Sequence, residues 1–288
     1  MEIVIIALAV LGLIFILKRK KKTQFIPTPY SKEKKTYLHT HIEFYRELTD
    51  NNKLLFENRI QKFIHKIKVT GIDVDVDEYD RLLVASSAII PVFAFPEWEY
   101  PGLKEVLLYP GSFNEKFVCA QPDSLISGMV GTGYMEGKMI LSKPALHHGF
   151  SNAGDRKNVG IHEFVHLIDK VDGVVDGIPE VLVNKEFALP WLELVRQKME
   201  KIHNLDSDIN AYGGTDKREF FSVIAEYFFE SPKLLKSKHP ILYEQLNQIF
   251  TTDLANRYKG KNKGGEPGRN DRCPCGSGKK YKRCCGRV

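Results

Sequence analysis

A chain of 288 residues with 43% hydrophobic content is long enough for one sizeable globular domain with small appendages. Its formal charge of +6 sits at the two ends: residues 1–22 are net +4 and residues 257–288 net +9, which leaves the body at −7. A mildly acidic body argues against a nucleic-acid-binding face on the main domain, and four of the five cysteines crowded into the last sixteen residues argue against a disulfide framework and for a reducing compartment.

Residues 3–17 form an unbroken apolar run of fifteen, followed at once by Lys18-Arg19-Lys20-Lys21-Lys22. As a helix this run spans about 22 Å against a hydrocarbon core of roughly 30 Å, a shortfall that snorkelling lysines and local thinning can cover. A secretory signal peptide has its positive charge before the apolar run and a small-residue cleavage site after it. Here the order is reversed, so the sequence predicts an uncleaved N-terminal transmembrane helix with its basic flank over 1–22. The flank places the N-terminus outside and all that follows in the cytoplasm, as a single-pass protein of the cell membrane. Residues 23–37 read as a polar tether.

The main domain is expected over 38–256. An amphipathic helical pattern covers 38–67. Val74 and Val76, alternating with Asp73, Asp75 and Asp77, read as a short edge strand; the aspartates lack the glycine and terminal glutamate of a calcium loop. A buried, alanine-rich helix is predicted over 79–90. Strands are predicted over 92–95, 106–109 and 138–141, the last after the glycine-rich stretch 128–137. Met139-Ile140-Leu141 is the candidate for holding an extended peptide by strand addition, with a plain core strand as the alternative. His147-His148 read as a surface loop, and Cys119 as a buried small hydrophobe. Further helices are expected over 191–203, over 216–229 with Thr215 as cap, and over 241–257.

The chemistry centres on His162-Glu163-Phe164-Val165-His166, an H-E-x-x-H segment. On a helix, residues four apart lie one above the other, so both imidazoles can reach one metal ion while Glu163 stands beside the water that such an ion activates. Asp155 or Asn158 can cap the helix, and Asp172-Gly173 can stop it. A catalytic zinc needs a third protein ligand and an open position. Asp172, ten residues after His162, is one option, although Asp169 occupies the place where that arrangement turns on a glycine. The other option is a glutamate from a later helix: Glu219 and Glu226, seven apart in an apolar run, share nearly one face.

The segments 162–169, Asp176-Gly177-Ile178-Pro179, Ala211-Tyr212 and 218–229 resemble, in the same order, the MtfA family of zinc-dependent peptidases. The resemblance runs over roughly residues 40–256. It implies an α+β fold, mainly helical and zincin-like, with a small antiparallel or mixed sheet. It also implies a gluzincin-like ligand set of His162, His166 and Glu219, with Glu163 as general base. Tyr212 would stabilise the oxyanion, and Glu226 and Asp169 would support the ligands. The substrate would be a peptide or protein.

After a linker over 257–266, residues 267–288 resemble the SEC-C motif found at the end of the SecA translocation motor. Cys273, Cys275, Cys284 and Cys285, in C-x-C-x8-C-C spacing, can close a tetrahedral structural zinc site, giving two zinc ions per chain, one catalytic and one structural. By resemblance such a tail takes a protein partner, a chaperone or a translocation or ribosome-associated component; its lysines and arginines could instead meet RNA or anionic lipid. Against a membrane-anchored peptidase stands a zinc-containing protein that captures a regulator or nascent chain through its body and tail, or an adaptor driven by the tail.

Overall fold

The computed structural model describes residues 25–152, 154–172, 177–178 and 185–252, with Lys280 and Arg283 as single positions. The run 3–17, the linker 257–266 and the four tail cysteines lie outside the described residues. Among the described residues no helix is long and apolar enough to cross a membrane.

Three helices open the chain: α1 (Lys32–His41), α2 (Glu43–Glu47) and α3 (Asp50–Lys66). The single helix expected over 38–67 is broken twice. Ile42 is extended and returns its N–H to Leu38 O, closing α1; Thr49 is extended and its hydroxyl accepts from Asn52 N, opening α3. α1 starts inside the segment expected as a tether. That segment is also tied down, since Thr28 exchanges two backbone hydrogen bonds with the Gln61 side chain.

The sheet has the order β1 (Lys68–Gly71), β2 (Glu105–Tyr109), β4 (Lys138–Ser142), β3 (Gly128–Val130), with the first three parallel and β3 antiparallel to β4. The mainly helical domain with a small mixed sheet expected from the sequence is what the chain forms. Alternation along β2 and β4 sends Val106, Leu108, Met139 and Leu141 into the main helical core. Leu107, Tyr109 and Ile140 join Phe113 on the other face, where Phe117, Cys119 and Ile126 pack against them. Cys119 is half-buried rather than buried, and its thiol lies 3.7 Å from Gly111 O.

Two expected strands do not form. Val74 and Val76 make no ladder; the chain turns there into α4 (Glu78–Ile89), with Asp77 and Asp80 closing a capping box. Residues 92–95 are consecutive turns, because Arg59 takes the carbonyls of Val92 and Phe93, both at 2.8 Å. His147 and His148 lie on α5 (Lys143–Ser151), not in a loop, and His147 Nε2 meets Asp80 Oδ1 at 2.7 Å.

The H-E-x-x-H segment lies on α6 (Val159–Asp169), extended by a 3-10 turn (Lys170–Asp172). It is followed by α7 (Lys185–His203), α8 (Lys217–Glu230), α9 (Pro232–Lys238) and α10 (Pro240–Asn247). α6 packs on α8, α4 and β3. Gly160 permits the crossing with α4: a Cβ there would stand 2.1 Å from Ser87 Oγ.

Candidate metal centre and active-site cleft

Asn158 starts α6 by accepting from Ile161 N at 3.1 Å, and its own backbone N–H donates to Glu226 Oε2. α6 is thereby pinned at its first turn to α8. The other oxygen of Glu226 meets His162 Nδ1 at 2.7 Å, and Ser222 Oγ meets His166 Nδ1 at 3.2 Å. Each ring is thus held by its outer nitrogen, which leaves both Nε2 atoms facing inward.

α8 begins with Asp216 as cap, not Thr215: its carboxylate accepts from Arg218 N and Glu219 N. Asp216 also takes the Arg218 guanidinium at 2.7 Å, which leaves the Glu219 carboxylate to the histidines. Glu219 Oε2 lies 3.0 Å from His162 Nε2 and 3.5 Å from His166 Nε2, and the two Nε2 atoms are 3.1 Å apart. A tetrahedral zinc with ligands at 2.0–2.1 Å separates them by about 3.3 Å. The three observed separations straddle that value, so the donor set fits a zinc ion without rearrangement. These residues form the metal-ligand cluster found among the described residues. The alternative ligand Asp172 has a carboxylate outside the described ones.

The charges agree with this arrangement. Burial alone would lower His162, but the Glu226 and Glu219 carboxylates overcome it and hold the imidazole well above its usual value. Burial would raise Glu219, and the two histidines overcome it in the other direction. Glu163 is 6% exposed, and burial outweighs the histidines to raise its carboxyl. A carboxylate with raised proton affinity is what general-base work requires.

Glu163 faces β3 at its closest point: a Cβ on Gly128 would stand 2.6 Å from Glu163 Oε1, so only glycine leaves the carboxylate its place. Gly128, Glu163, His162 and Tyr212 all line a cleft of about 640 Å³. Tyr212 sits on a 3-10 turn (Ala211–Gly214), 53% exposed, its ring 6.0 Å from that of His162. Burial of the phenol and the Glu219 and Glu163 carboxylates keep it protonated.

Of the supporting residues expected, Glu226 bonds a candidate ligand directly. Asp169 is fully buried and its Oδ2 accepts from Gly177 N at 2.8 Å, while Gly177 O accepts from Trp191 Nε1 at 2.9 Å; it secures the chain beyond α6. Ser222 was not anticipated. Its signal was available, since positions 219, 222 and 226 follow the three-then-four spacing of one helix face.

The strand assigned to peptide binding needs correction. β4 is paired on both sides, by β2 and by β3, and Met139, Ile140 and Leu141 are buried, so it offers no free edge. The edge beside α6 is β3. Gly131 N donates to Lys138 O and Ser142 N to Ser127 O, which makes 127, 129 and 131 the residues bonded to β4. The alternation of an antiparallel ladder then turns the backbone N–H and C=O of Gly128 and Val130 away from β4.

Comparison with known proteins agrees with both resemblances. The chain is 25% identical over 243 residues to the uncharacterized protein slr2042 of Synechocystis, covering 80% of this chain and 87% of that protein. It is 28% identical over 179 residues to Mlc titration factor A of Serratia proteamaculans, covering 56% and 67%. It is 28% identical over 185 residues to Mlc titration factor A of Yersinia enterocolitica, covering 58% and 68%. Residues 269–287 match the SEC-C motif. Family and motif both point to zinc. With residues 16–251 matching its model, the chain belongs to the glucose-regulated metallo-peptidase M90 family.

Proposed function

We propose that the chain is a zinc-dependent peptidase whose metal is held by His162, His166 and Glu219. The observation that carries this reading is the convergence of three ligand atoms at zinc spacing, with a buried carboxylate, Glu163, on the same helix and in the same cleft. Zinc held there supplies Lewis acidity, which polarises a carbonyl and makes water a nucleophile at neutral pH. The chain's own residues do the rest. Gly128 and Val130 offer backbone groups along which an extended peptide adds as a further strand, beside Glu163. Glu163 takes a proton from the attacking water and returns it to the leaving amine. The Tyr212 hydroxyl, held protonated, donates to the oxyanion as it forms. Glu163→Gln tests this: turnover of a quenched fluorescent peptide mixture should be abolished with metal content unchanged. No turnover by the zinc-loaded wild-type protein would remove the hydrolase reading, and full turnover by the variant would remove Glu163 as its base.

The name of the Serratia and Yersinia relatives, Mlc titration factor A, favours a second reading, in which the chain titrates a protein partner by binding it through its body and tail. The same variant separates the two, since capture would survive it. Around either activity we place the run 3–17 as a membrane anchor with the domain on the cytoplasmic side, and the four tail cysteines around a structural zinc in a motif that takes a protein partner.

A further inference from the structure

β3 is the last strand of the sheet among the described residues, and its two faces are unlike. On the face toward α6, Val130 packs against the main core, and a Cβ on Gly128 would point at the Glu163 carboxylate. Met129, between them, turns to the opposite face and packs with Leu107, Tyr109, Phe113 and Ile140. It is half-buried, with β4 on one flank and no strand on the other.

A row of three rings links the two ends of β3 on that opposite face. Phe113 is fully buried and forms a backbone bridge with Ile126, just before the strand. Phe117 stacks on Phe113 at 6.3 Å between centroids, and Tyr134, just past the strand, meets Phe117 edge-on at 6.5 Å. Phe117 also packs against the cluster that Met129 joins. Exposure rises along the row, from buried Phe113 through half-buried Phe117 to Tyr134 at 83%. Phe117 holds a φ of +62°, which a bulky residue rarely adopts. Asn114 keeps it there, its side-chain oxygen accepting from Lys116 N and Val118 N, both at 3.0 Å. None of the side chains of Met129, Phe117 and Tyr134 carries a charge at neutral pH.

We propose that this face of β3 is a specificity subsite, which takes one large apolar side chain of a peptide added along the strand. The inference rests on the peptidase reading and names the substrate class of that same site. Neighbours across two strands project to the same face of a sheet, and successive residues alternate between faces. The peptide residue opposite Gly128 therefore points toward Glu163. The next one, opposite Met129, points away from α6, onto the face that Met129 and the row of rings share. A leucine or phenylalanine there covers apolar surface, whereas an aspartate or lysine gives up water and meets no opposite charge on these three side chains. Methionine adapts to aliphatic and aromatic neighbours alike, so the preference is for apolar bulk and not for one residue type. Full burial of such a side chain strengthens binding by about ten- to a hundredfold, and an open-sided wall supplies the lower end of that range.

The test gives the full-length zinc-loaded protein an equimolar peptide library and reads the cut sites by mass spectrometry. Leucine, methionine, phenylalanine and tyrosine should be enriched over aspartate, lysine and glycine at one position close to the cut. Single peptides varied at that position should show kcat/KM about tenfold higher for leucine than for aspartate. Met129→Ala should bring that ratio to within about threefold of unity, with zinc content and thermal midpoint measured on the same preparation. Tyr134→Ala, at an exposed position, should lower the preference for phenylalanine over leucine about threefold. A flat profile at every position, or an apolar preference that both variants leave intact, would overturn the proposal. Absence of any cleavage would instead strike the peptidase reading, and the subsite is then judged by binding alone. Zinc-loaded Glu163→Gln is titrated with fluorescent leucine- and aspartate-bearing forms of one peptide. Binding of the leucine form about tenfold more tightly, lost when Met129→Ala is added, would support the subsite, and equal affinities would overturn it.

Discussion

Replacing Gly128 by alanine asks how tightly the proposed general base is held. The new Cβ would stand 2.6 Å from Glu163 Oε1 and 2.7 Å from both Glu163 Cγ and Val159 Cγ2. Unstrained carbon contacts lie at about 3.5 Å, so the Glu163 carboxylate must withdraw by about 1 Å. A displacement of that size at a reacting group costs about 100-fold in rate, or about 2.7 kcal/mol of barrier. The three nearest atoms belong to Glu163 and Val159 and to none of His162, His166 and Glu219, so the metal should stay. The assay is kcat on a quenched fluorescent peptide mixture, with zinc content and thermal midpoint measured on the same preparation. A kcat about 100-fold down at unchanged zinc is expected. A kcat within threefold of wild type, in protein carrying its full zinc, would refute the placement of Glu163 against β3.

Ser222→Ala removes the partner of His166 Nδ1 and should weaken zinc binding by about 10–100-fold in a chelator competition. Unchanged affinity would mean that the serine does not orient the ring. Val130→Pro deletes an N–H turned away from β4, so the sheet should survive while kcat/KM falls at least tenfold; an intact kcat/KM would place the substrate elsewhere. The cluster around Asp208 predicts acid sensitivity. Burial opposes the ionised Asp208, but hydrogen bonds from Tyr227, His239 and Lys238 hold its carboxyl well below 3.8, and burial lowers His239 below 6.5. Both groups bind fewer protons folded than unfolded, so their contribution is complete above about pH 6.5. It is lost as pH falls, first through His239 and then below 3.8 through Asp208. His239→Gln should therefore reduce the drop in thermal midpoint between pH 7 and 5, and an equal drop in both proteins would contradict the assignment.

The helix that carries the two candidate histidine ligands was legible because its evidence is local. Two histidines four apart, a cap at Asn158 and an apolar remainder are all read from the twelve consecutive residues 158–169. Glu219 required a resemblance, since spacing alone left Glu219 and Glu226 equivalent; the structure separates them by which histidine nitrogen each one meets. What remained hidden depends on partners distant in sequence. Residues 92–95 have strand-like side chains, yet Arg59, more than thirty positions earlier, takes two of their carbonyls and leaves turns. The strand 138–141 was correctly placed, but its apolar run fits a central strand as well as an edge, and only the pairing partners decide which. β3 was invisible because three residues within a glycine-rich stretch carry no periodicity to read. The break of 38–67 was different in kind: Thr49 is a good cap in the sequence, outweighed by an amphipathic pattern that runs through it.

The most direct measurement is the metal content of the purified full-length protein, by mass spectrometry, for wild type, His162→Ala and Glu219→Ala. Two zinc ions per chain are expected in wild type, one of them in the cysteine tail, and one in each variant. A variant that folds and still carries two would show that these side chains do not hold the ion.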